Sequence, residues 1–161
     1  MAKENPTKTN AMRILDRAKV SYIHRSWEEA TAEHTGVELA AALGQNPAQV
    51  FKTLVTQAKS GSHYVFLIPV AETLDLKKAA AAVHEKALTM LKAKDLLPLT
   101  GYVHGGCSPV GMKKLFVTTI HKSAEDFEKI LFSAGKIGHQ LEVSLTELKD
   151  VVPYTFADVV V

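Results

Sequence analysis

Two runs of strand-forming residues stand close together in the middle of the chain and constrain its fold more than any other feature. Residues 50–56 (VFKTLVT) and 64–70 (YVFLIPV) are rich in β-branched and aromatic side chains. The connection between them contains Lys59-Ser60-Gly61-Ser62. Two such runs with a polar, glycine-containing connection predict an antiparallel hairpin.

Helical patterns alternate with further strand patterns along the rest of the chain. The segment 38–43 (ELAAAL) is a strong helix former closed by Gly44, and Asn46-Pro47 predicts the start of another short helix. Further helices are expected around residues 14–18, over 76–83 and 92–97 with Asp75 and Thr89 near their starts, and after Ser144, whose spacing to Glu147 fits a capping box. Further strands are expected near 20–24, 115–120 and 156–160, and two short apolar segments, 127–132 and 141–143, flank a turn that contains Gly135 and Gly138. Helices interspersed with strands, some of them hairpin-linked, indicate a mixed α/β (α+β) fold.

The composition favours an ordinary globular protein. The 161 residues are 47% hydrophobic and 22% charged, which suits one hydrophobic core and a single domain over residues 1–161. No apolar run is long enough to span a membrane, and the polar N-terminus does not resemble a signal peptide. One cysteine, Cys107, cannot form an internal disulfide, so we expect a cytoplasmic protein without a membrane partner.

The charge balance argues against a protein that coats nucleic acid. A net charge of +2 is too small for a broad basic field, and no DNA-reading element is visible, so DNA is not expected as a partner. Lysine pairs such as Lys113-Lys114 could contact phosphates locally, although solvent-exposed surface is the commoner role of lysine.

Lys52 and a glycine-rich loop are the candidates for chemistry. Lys52 interrupts an apolar strand, where alternation places it on the face opposite Phe51 and Thr53. It is either a solvent-facing lysine or a functional one. The loop Gly105-Gly106-Cys107-Ser108-Pro109 can expose backbone donors to a developing oxyanion, or it is a plain structural turn.

Other catalytic and cofactor signatures are weak. A nucleophile at Cys107 or Ser108 needs a base within hydrogen-bond reach, so an inert thiol and a hydrogen-bonding loop wall are the better interpretations. The seven histidines have no metal-binding spacing, and no dinucleotide fingerprint or P-loop occurs, so no metal and no cofactor are expected. Trp27 is a pocket wall or a core residue.

Five segments taken together resemble one known family. They are FKTLV at 51–55, LDLKKAA at 74–80, GY at 101–102, GGCSPVG at 105–111 and SAGK at 133–136. In order and spacing they are similar to the YbaK/EbsC family, which includes the editing domain inserted in bacterial prolyl-tRNA synthetases. The resemblance covers nearly the whole chain. It implies a curled mixed β-sheet approaching a barrel, flanked by helices, with a pocket for the aminoacylated 3′ end of tRNA.

The resemblance also implies an activity and a set of site residues. Members deacylate mischarged tRNA, and the single-domain YbaK type is associated with Cys-tRNA(Pro) and works alongside prolyl-tRNA synthetase, which makes mischarged tRNA and that synthetase the expected partners. Two positions depart from the family pattern, with Trp27 replacing a tyrosine and Gln140 an aspartate, and Thr35-Gly36 replaces a phenylalanine–glycine pair. The implied site residues are Lys52, Gly105 and Gly106 for catalysis, and Trp27, Thr53, Ser108, Pro109, Ser133 and Gln140 for substrate binding.

The expected mechanism makes modest demands on the protein because an aminoacyl ester is already activated. The N–H groups of Gly105 or Gly106 would hold the ester carbonyl, while the Lys52 ammonium favours anionic character or anchors the terminal ribose and phosphate. By the resemblance, the attacking group is either the thiol of a cysteinyl substrate, which leaves as a thiolactone, or water. Two alternatives stay open: removal of alanine or serine, and a non-catalytic tRNA-binding, synthetase-binding or regulatory protein.

Overall fold

The computed structural model describes residues 8–161, so the first seven residues of the polar N-terminal segment lie outside it. Within the described range the chain forms a mixed α/β fold, as the sequence predicted. The helices are α1 (Asn10–Arg17), α2 (Gly36–Ala42), α3 (Leu76–Ala82), α4 (Ala93–Thr100), α5 (Leu145–Leu148) and a 3-10 helix (Lys122–Asp126). The strands are β1 (Tyr22–Ser26), β2 (Phe51–Ala58), β3 (His63–Pro69), β4 (Leu88–Met90), β5 (Val117–His121), β6 (Lys129–Ser133), β7 (His139–Ser144) and β8 (Tyr154–Ala157).

The larger sheet has five strands in the order β4-β2-β3-β5-β8. Strands β2 and β3 form the predicted antiparallel hairpin, with Phe51 opposite Pro69 and Gln57 opposite His63. Strand β4 adds antiparallel to β2, whereas β5 and β8 add in parallel on the other side. The hairpin therefore lies inside the sheet, with Lys52 near its open end.

The smaller sheet has three antiparallel strands in the order β1-β7-β6. Its inner face shares one hydrophobic core with the larger sheet, which explains why apolar residues of both are buried together. Completely buried members include Leu67 and Ile120 from the larger sheet and Phe132 and Leu141 from the smaller one.

The two sheets meet where β2 begins. Val50 forms a parallel bridge with Leu131, the Leu131 N–H donates to the Gln49 carbonyl at 3.1 Å, and the Gln49 side-chain amide donates to the Lys129 carbonyl at 2.8 Å. The expected curled sheet thus takes the form of two joined sheets, and within residues 8–161 no closed barrel forms.

Three local expectations were wrong. The residues after Asn46 form a turn instead of a helix, with Gln49 N–H donating to the Asn46 carbonyl at 2.9 Å, because Val50 is already engaged with the smaller sheet. Thr89 lies in β4 rather than at a helix start, since pairing with β2 extends this segment. The last strand ends at Ala157, earlier than expected. No helix in the described part of the chain is both long and apolar enough to cross a membrane.

Candidate active site

A pocket of about 550 Å³ opens where the two sheets meet. The start of β2, the segment after β3, the first turn of α2 and the loops around residues 104–107 and 133–140 surround it. Gly36 lets α2 approach this region, because a Cβ there would lie 2.6 Å from a methyl carbon of Val70. The pocket is lined by apolar side chains and by several polar or charged ones. Among the polar and charged residues are Lys52, Glu72, Thr53, Ser133, Gln140, His34, His104 and His139.

Lys52 belongs to β2, where it pairs with Ile68 of β3, and it lines the pocket. Its side chain is half-buried, and desolvation lowers the pKa of its ammonium while the nearby Glu72 carboxylate opposes that shift. The ion pairs within residues 8–161 are formed by Lys8, Arg25, Lys78 and His121, and none involves Lys52. The pocket therefore contains a cation that no carboxylate of the described residues neutralises by direct contact.

Three polar side chains predicted for substrate binding also line the pocket. The Thr53 hydroxyl is buried and has no hydrogen-bond partner among the described residues. The Ser133 hydroxyl accepts from Gly135 N–H at 3.0 Å and so shapes the neighbouring turn. Gln140 is only 2% exposed, and its carbonyl oxygen accepts from the Gln45 side-chain amide at 2.6 Å.

The two glycines of the predicted catalytic loop occupy different positions. Gly105 lines the pocket with a positive φ of 88°, and a Cβ at this site would make only ordinary contact with Ile137 at 3.6 Å. Gly106 is buried against the backbone of residues 136–137, where a Cβ would lie 3.1 Å from Ile137 N. The Gly106 N–H donates to the Val103 carbonyl at 3.0 Å, so the protein itself already uses this donor.

The rest of the loop is buried and serves mainly to hold its shape. The Ser108 hydroxyl is fully buried and accepts from Val110 N–H at 3.2 Å, and the Tyr102 hydroxyl donates to the Val110 carbonyl. Neither Ser108 nor Pro109 is among the residues that line the pocket. Cys107 does line it, but burial raises the pKa of its thiol to about 12.

Trp27 stands behind the pocket wall rather than in the lining. Its ring packs against His34 with centroids 4.6 Å apart, and His34 itself lines the pocket. The backbone N–H of Trp27 donates to the Gly138 carbonyl at 2.8 Å, and a Cβ on Gly138 would lie 2.7 Å from the backbone carbonyl oxygen of Trp27. The Trp27 ring thus supports His34, while the Trp27 backbone contacts the glycine turn.

Sequence reasoning missed two features of this site. Glu72 is the only carboxylate that lines the pocket within the described residues. His139 also lines it, and its Nδ1 lies 2.8 Å from Nε2 of His24 on the neighbouring strand. The position of Glu72 just after a predicted strand was a weak signal for its place in the pocket. No sequence signal could reveal the contact of His24 with His139, because the two residues are far apart in the chain. Within residues 8–161, no three His, Cys, Asp or Glu side chains come together in a group able to hold a metal ion.

This combination of a lysine-containing pocket and a glycine loop corresponds to a known class of protein. The family model of the aminoacyl-tRNA editing domain matches residues 30–151. The chain belongs to this family, which confirms the resemblance seen in its motifs.

Individual relatives agree with this assignment. An Enterococcus faecalis protein, EbsC, described as a candidate Cys-tRNA(Pro)/Cys-tRNA(Cys) deacylase, is 41% identical over 159 residues, covering 98% of this chain and 96% of its own. The crystal structure of a hypothetical protein has a TM-score of 0.85 at 23% identity, covering 95% of this chain and 100% of that one. A crystal structure described as a candidate trans-editing enzyme for prolyl-tRNA synthetase has a TM-score of 0.79 at 23% identity, covering 97% and 99%. At this identity the two structures establish the fold.

Proposed function

We propose that this protein is a trans-editing aminoacyl-tRNA deacylase that removes cysteine from Cys-tRNA(Pro), with the whole chain acting as one editing domain. The observation that carries the proposal is Lys52, a half-buried ammonium without an ion-pair partner among residues 8–161, in a pocket of about 550 Å³. A pocket of this volume is in the range that takes small ligands. The aminoacylated 3′ terminus of tRNA occupies it.

Lys52 acts on the substrate through its charge. A half-desolvated ammonium interacts more strongly with an anion than a fully solvated one does. It stabilises negative charge on the ester carbonyl oxygen or holds the terminal ribose and phosphate, and both interactions favour deacylation.

The second contribution comes from the glycine loop, and we assign it to Gly105. Either of the two glycines was expected to hold the ester carbonyl. Because the Gly106 N–H donates to Val103 within the loop, the amide facing the substrate is that of Gly105, which lines the pocket. Gly106 contributes by allowing the loop to lie against residues 136–137.

The attacking group does not come from the protein. At a pKa of about 12 the Cys107 sulfur is a thiol at neutral pH, and the thiolate is the nucleophilic form. Either the substrate thiol attacks its own ester, forming the thiolactone and releasing the tRNA 3′-hydroxyl, or water attacks and releases free cysteine. An intramolecular attack gains from proximity.

The finer assignments of partner and location follow from this function. Prolyl-tRNA synthetase is the transient partner, because it would produce the mischarged tRNA. The cytoplasm is the location, because tRNA is charged and used there. Both assignments rest on the proposed reaction.

A deacylation time course tests the proposal. Purified protein is incubated with Cys-, Ala-, Ser- and Pro-tRNA(Pro) and with Cys-tRNA(Cys), each with and without prolyl-tRNA synthetase. Rapid loss of cysteine from tRNA(Pro) with retention of proline supports the proposal. Equal clearance of alanine, serine and cysteine would indicate a broader editing role, and binding of tRNA without turnover would indicate a non-catalytic module. Mass spectrometry of the released product separates thiolactone from cysteine.

A further inference from the structure

We infer that Glu72 binds the α-ammonium group of the aminoacyl ester, so that the pocket selects esters with a free amino group over N-blocked ones. This inference rests on the proposed function and adds a residue that determines specificity. It concerns the carboxylate that sequence reasoning did not single out.

The backbone fixes Glu72 beside the pocket. Its N–H donates to the Pro69 carbonyl at 2.9 Å, which forms a turn directly after β3. The following residue, Thr73, accepts from Val161 N–H at 3.0 Å, and Leu74 bridges Val160. The backbone of Glu72 is therefore fixed beside the pocket, and its solvent-exposed side chain contributes to the lining.

Charge distinguishes Glu72 from the other polar residues of the pocket. Gln140 is neutral and already accepts from Gln45, and the Ser133 hydroxyl already accepts from Gly135. The histidines His34, His104 and His139 would repel an ammonium when protonated. Within the described chain, Glu72 is thus the only negative side chain available to a cation in this pocket.

Glu72 and Lys52 together match the charge pattern of an aminoacyl ester. The two side chains interact electrostatically, but they do not form an ion pair, so neither charge is neutralised by direct contact. An aminoacyl ester has its ammonium one carbon away from the carbonyl that becomes negative during attack. With the carbonyl toward Lys52 and the ammonium toward Glu72, both charges meet opposite partners.

The same arrangement discriminates against esters whose amino group is acylated. An N-acyl group replaces the cation by a neutral amide, so it cannot interact favourably with the Glu72 carboxylate. Peptidyl- and formyl-aminoacyl-tRNA belong to this chemical class, and the pocket would spare them.

The test compares Glu72→Gln with the wild type on Cys-tRNA(Pro) and on N-acetyl-Cys-tRNA(Pro). The substitution also removes a charge that repels tRNA phosphates, which affects both substrates alike. The informative quantity is therefore the kcat/KM for Cys-tRNA(Pro) divided by the kcat/KM for N-acetyl-Cys-tRNA(Pro). We expect this ratio to fall roughly fivefold, the upper end of what an exposed ion pair contributes. Glu125→Gln, which removes an exposed carboxylate outside the pocket, is the matched control and should leave the ratio unchanged.

A binding measurement separates this inference from the proposed function. Competition by 3′-cysteinylamido-3′-deoxyadenosine, with a free or an acetylated amino group, reports on the pocket without turnover. If the wild type deacylates Cys-tRNA(Pro) but Glu72→Gln weakens both analogues equally or not at all, the role of Glu72 is refuted and the function stands. If no substrate is deacylated while Glu72→Gln selectively weakens the free-amine analogue, the function fails and the recognition role stands.

Discussion

The Nε2 atom of His24 lies 2.8 Å from the Nδ1 atom of His139, although the two residues are 115 positions apart in the chain. Their rings are stacked with centroids 5.1 Å apart. One of the two contacting nitrogens must donate and the other accept, so the bond is lost when both rings are protonated to imidazolium. Desolvation lowers the pKa of both rings, and the neighbouring His24 and Lys136 lower that of His139 further, against an opposing effect of Glu28.

This pair predicts a loss of stability in mild acid. Because the folded pKa values lie below the unfolded value of about 6.5, the unfolded state binds more protons as the pH falls below that value. The contribution of the two histidines to the free energy of unfolding is therefore fully present above pH ~6.5 and is lost as the pH falls through their folded pKa values. His24→Gln should reduce the fall in Tm between pH 7.5 and 5.5. Part of the fall should remain, because desolvation also lowers the pKa of the buried His121. His63→Gln is the control, and an unchanged pH dependence in His24→Gln would contradict the prediction.

Replacing Lys52 should affect catalysis far more than folding. Removing an ammonium that lacks an ion pair in the described structure costs little stability, whereas loss of an electrostatic stabiliser lowers deacylation by roughly 10². Lys52→Arg should also be impaired, because a planar guanidinium does not replace a compact ammonium. Single-turnover rates and Tm of Lys52→Ala are compared with those of Lys86→Ala, an exposed control. Wild-type turnover in Lys52→Ala would exclude the assigned role.

The two loop glycines should respond differently to alanine. Gly105→Ala introduces a side chain at positive φ, which costs about 1 kcal/mol, but it finds space beside Ile137. Its activity per folded molecule should fall if the Gly105 amide holds the ester carbonyl as proposed, because Gly105 lines the pocket. Gly106→Ala should lose more stability, about 1–3 kcal/mol, since its Cβ meets the backbone at 3.1 Å. Denaturant titration and initial rates measure both effects, and a fully active Gly105→Ala would mean that the loop is only a turn.

Cys107→Ala should keep its activity. The thiol is 8% exposed and its pKa is raised to about 12, so it does not supply the nucleophile. Truncation of this small side chain leaves a limited cavity, and a modest fall in Tm is expected. Intact-mass analysis during turnover should detect no cysteinyl-protein adduct. An adduct on Cys107 together with an inactive Cys107→Ala variant would overturn the mechanism.

Thr53→Val separates substrate binding from folding at one position. The Thr53 hydroxyl is buried without a partner in residues 8–161, so replacing it by a methyl group of similar size should maintain or raise Tm. If the hydroxyl bonds to the bound substrate, kcat/KM should fall by about tenfold, as for a hydrogen bond to a charged group. Thr89→Val, at an exposed position of β4, is the comparison. A drop in Tm with unchanged kinetics would assign Thr53 to folding alone.

The sequence predicted the elements whose signals are local. The hairpin of β2 and β3 was found because two runs rich in β-branched and aromatic residues flank a short polar connection that contains glycine. Helix α2 was found because residues 38–43 are strong helix formers and Gly44 closes the stretch. Each of these features depends on neighbours a few residues away.

Features that depend on distant partners were missed. Strand β4 has only three residues and exists through its pairing with β2, so Thr89 resembled a helix start. The residues after Asn46 form a turn instead of the predicted helix because Val50 bridges Leu131. No local pattern encodes that contact between distant residues. In the same way, Lys52 was found from its unusual strand context, whereas Glu72 became visible only when the pocket brought the two together.

The buried thiol of Cys107 also bears on redox chemistry. Disulfide exchange and oxidation by peroxide proceed through the thiolate. Because burial raises the pKa of Cys107 to about 12, its sulfur is almost entirely in the thiol form at pH 7. At neutral pH the buried Cys107 thiol should therefore react only slowly in disulfide exchange and with peroxide.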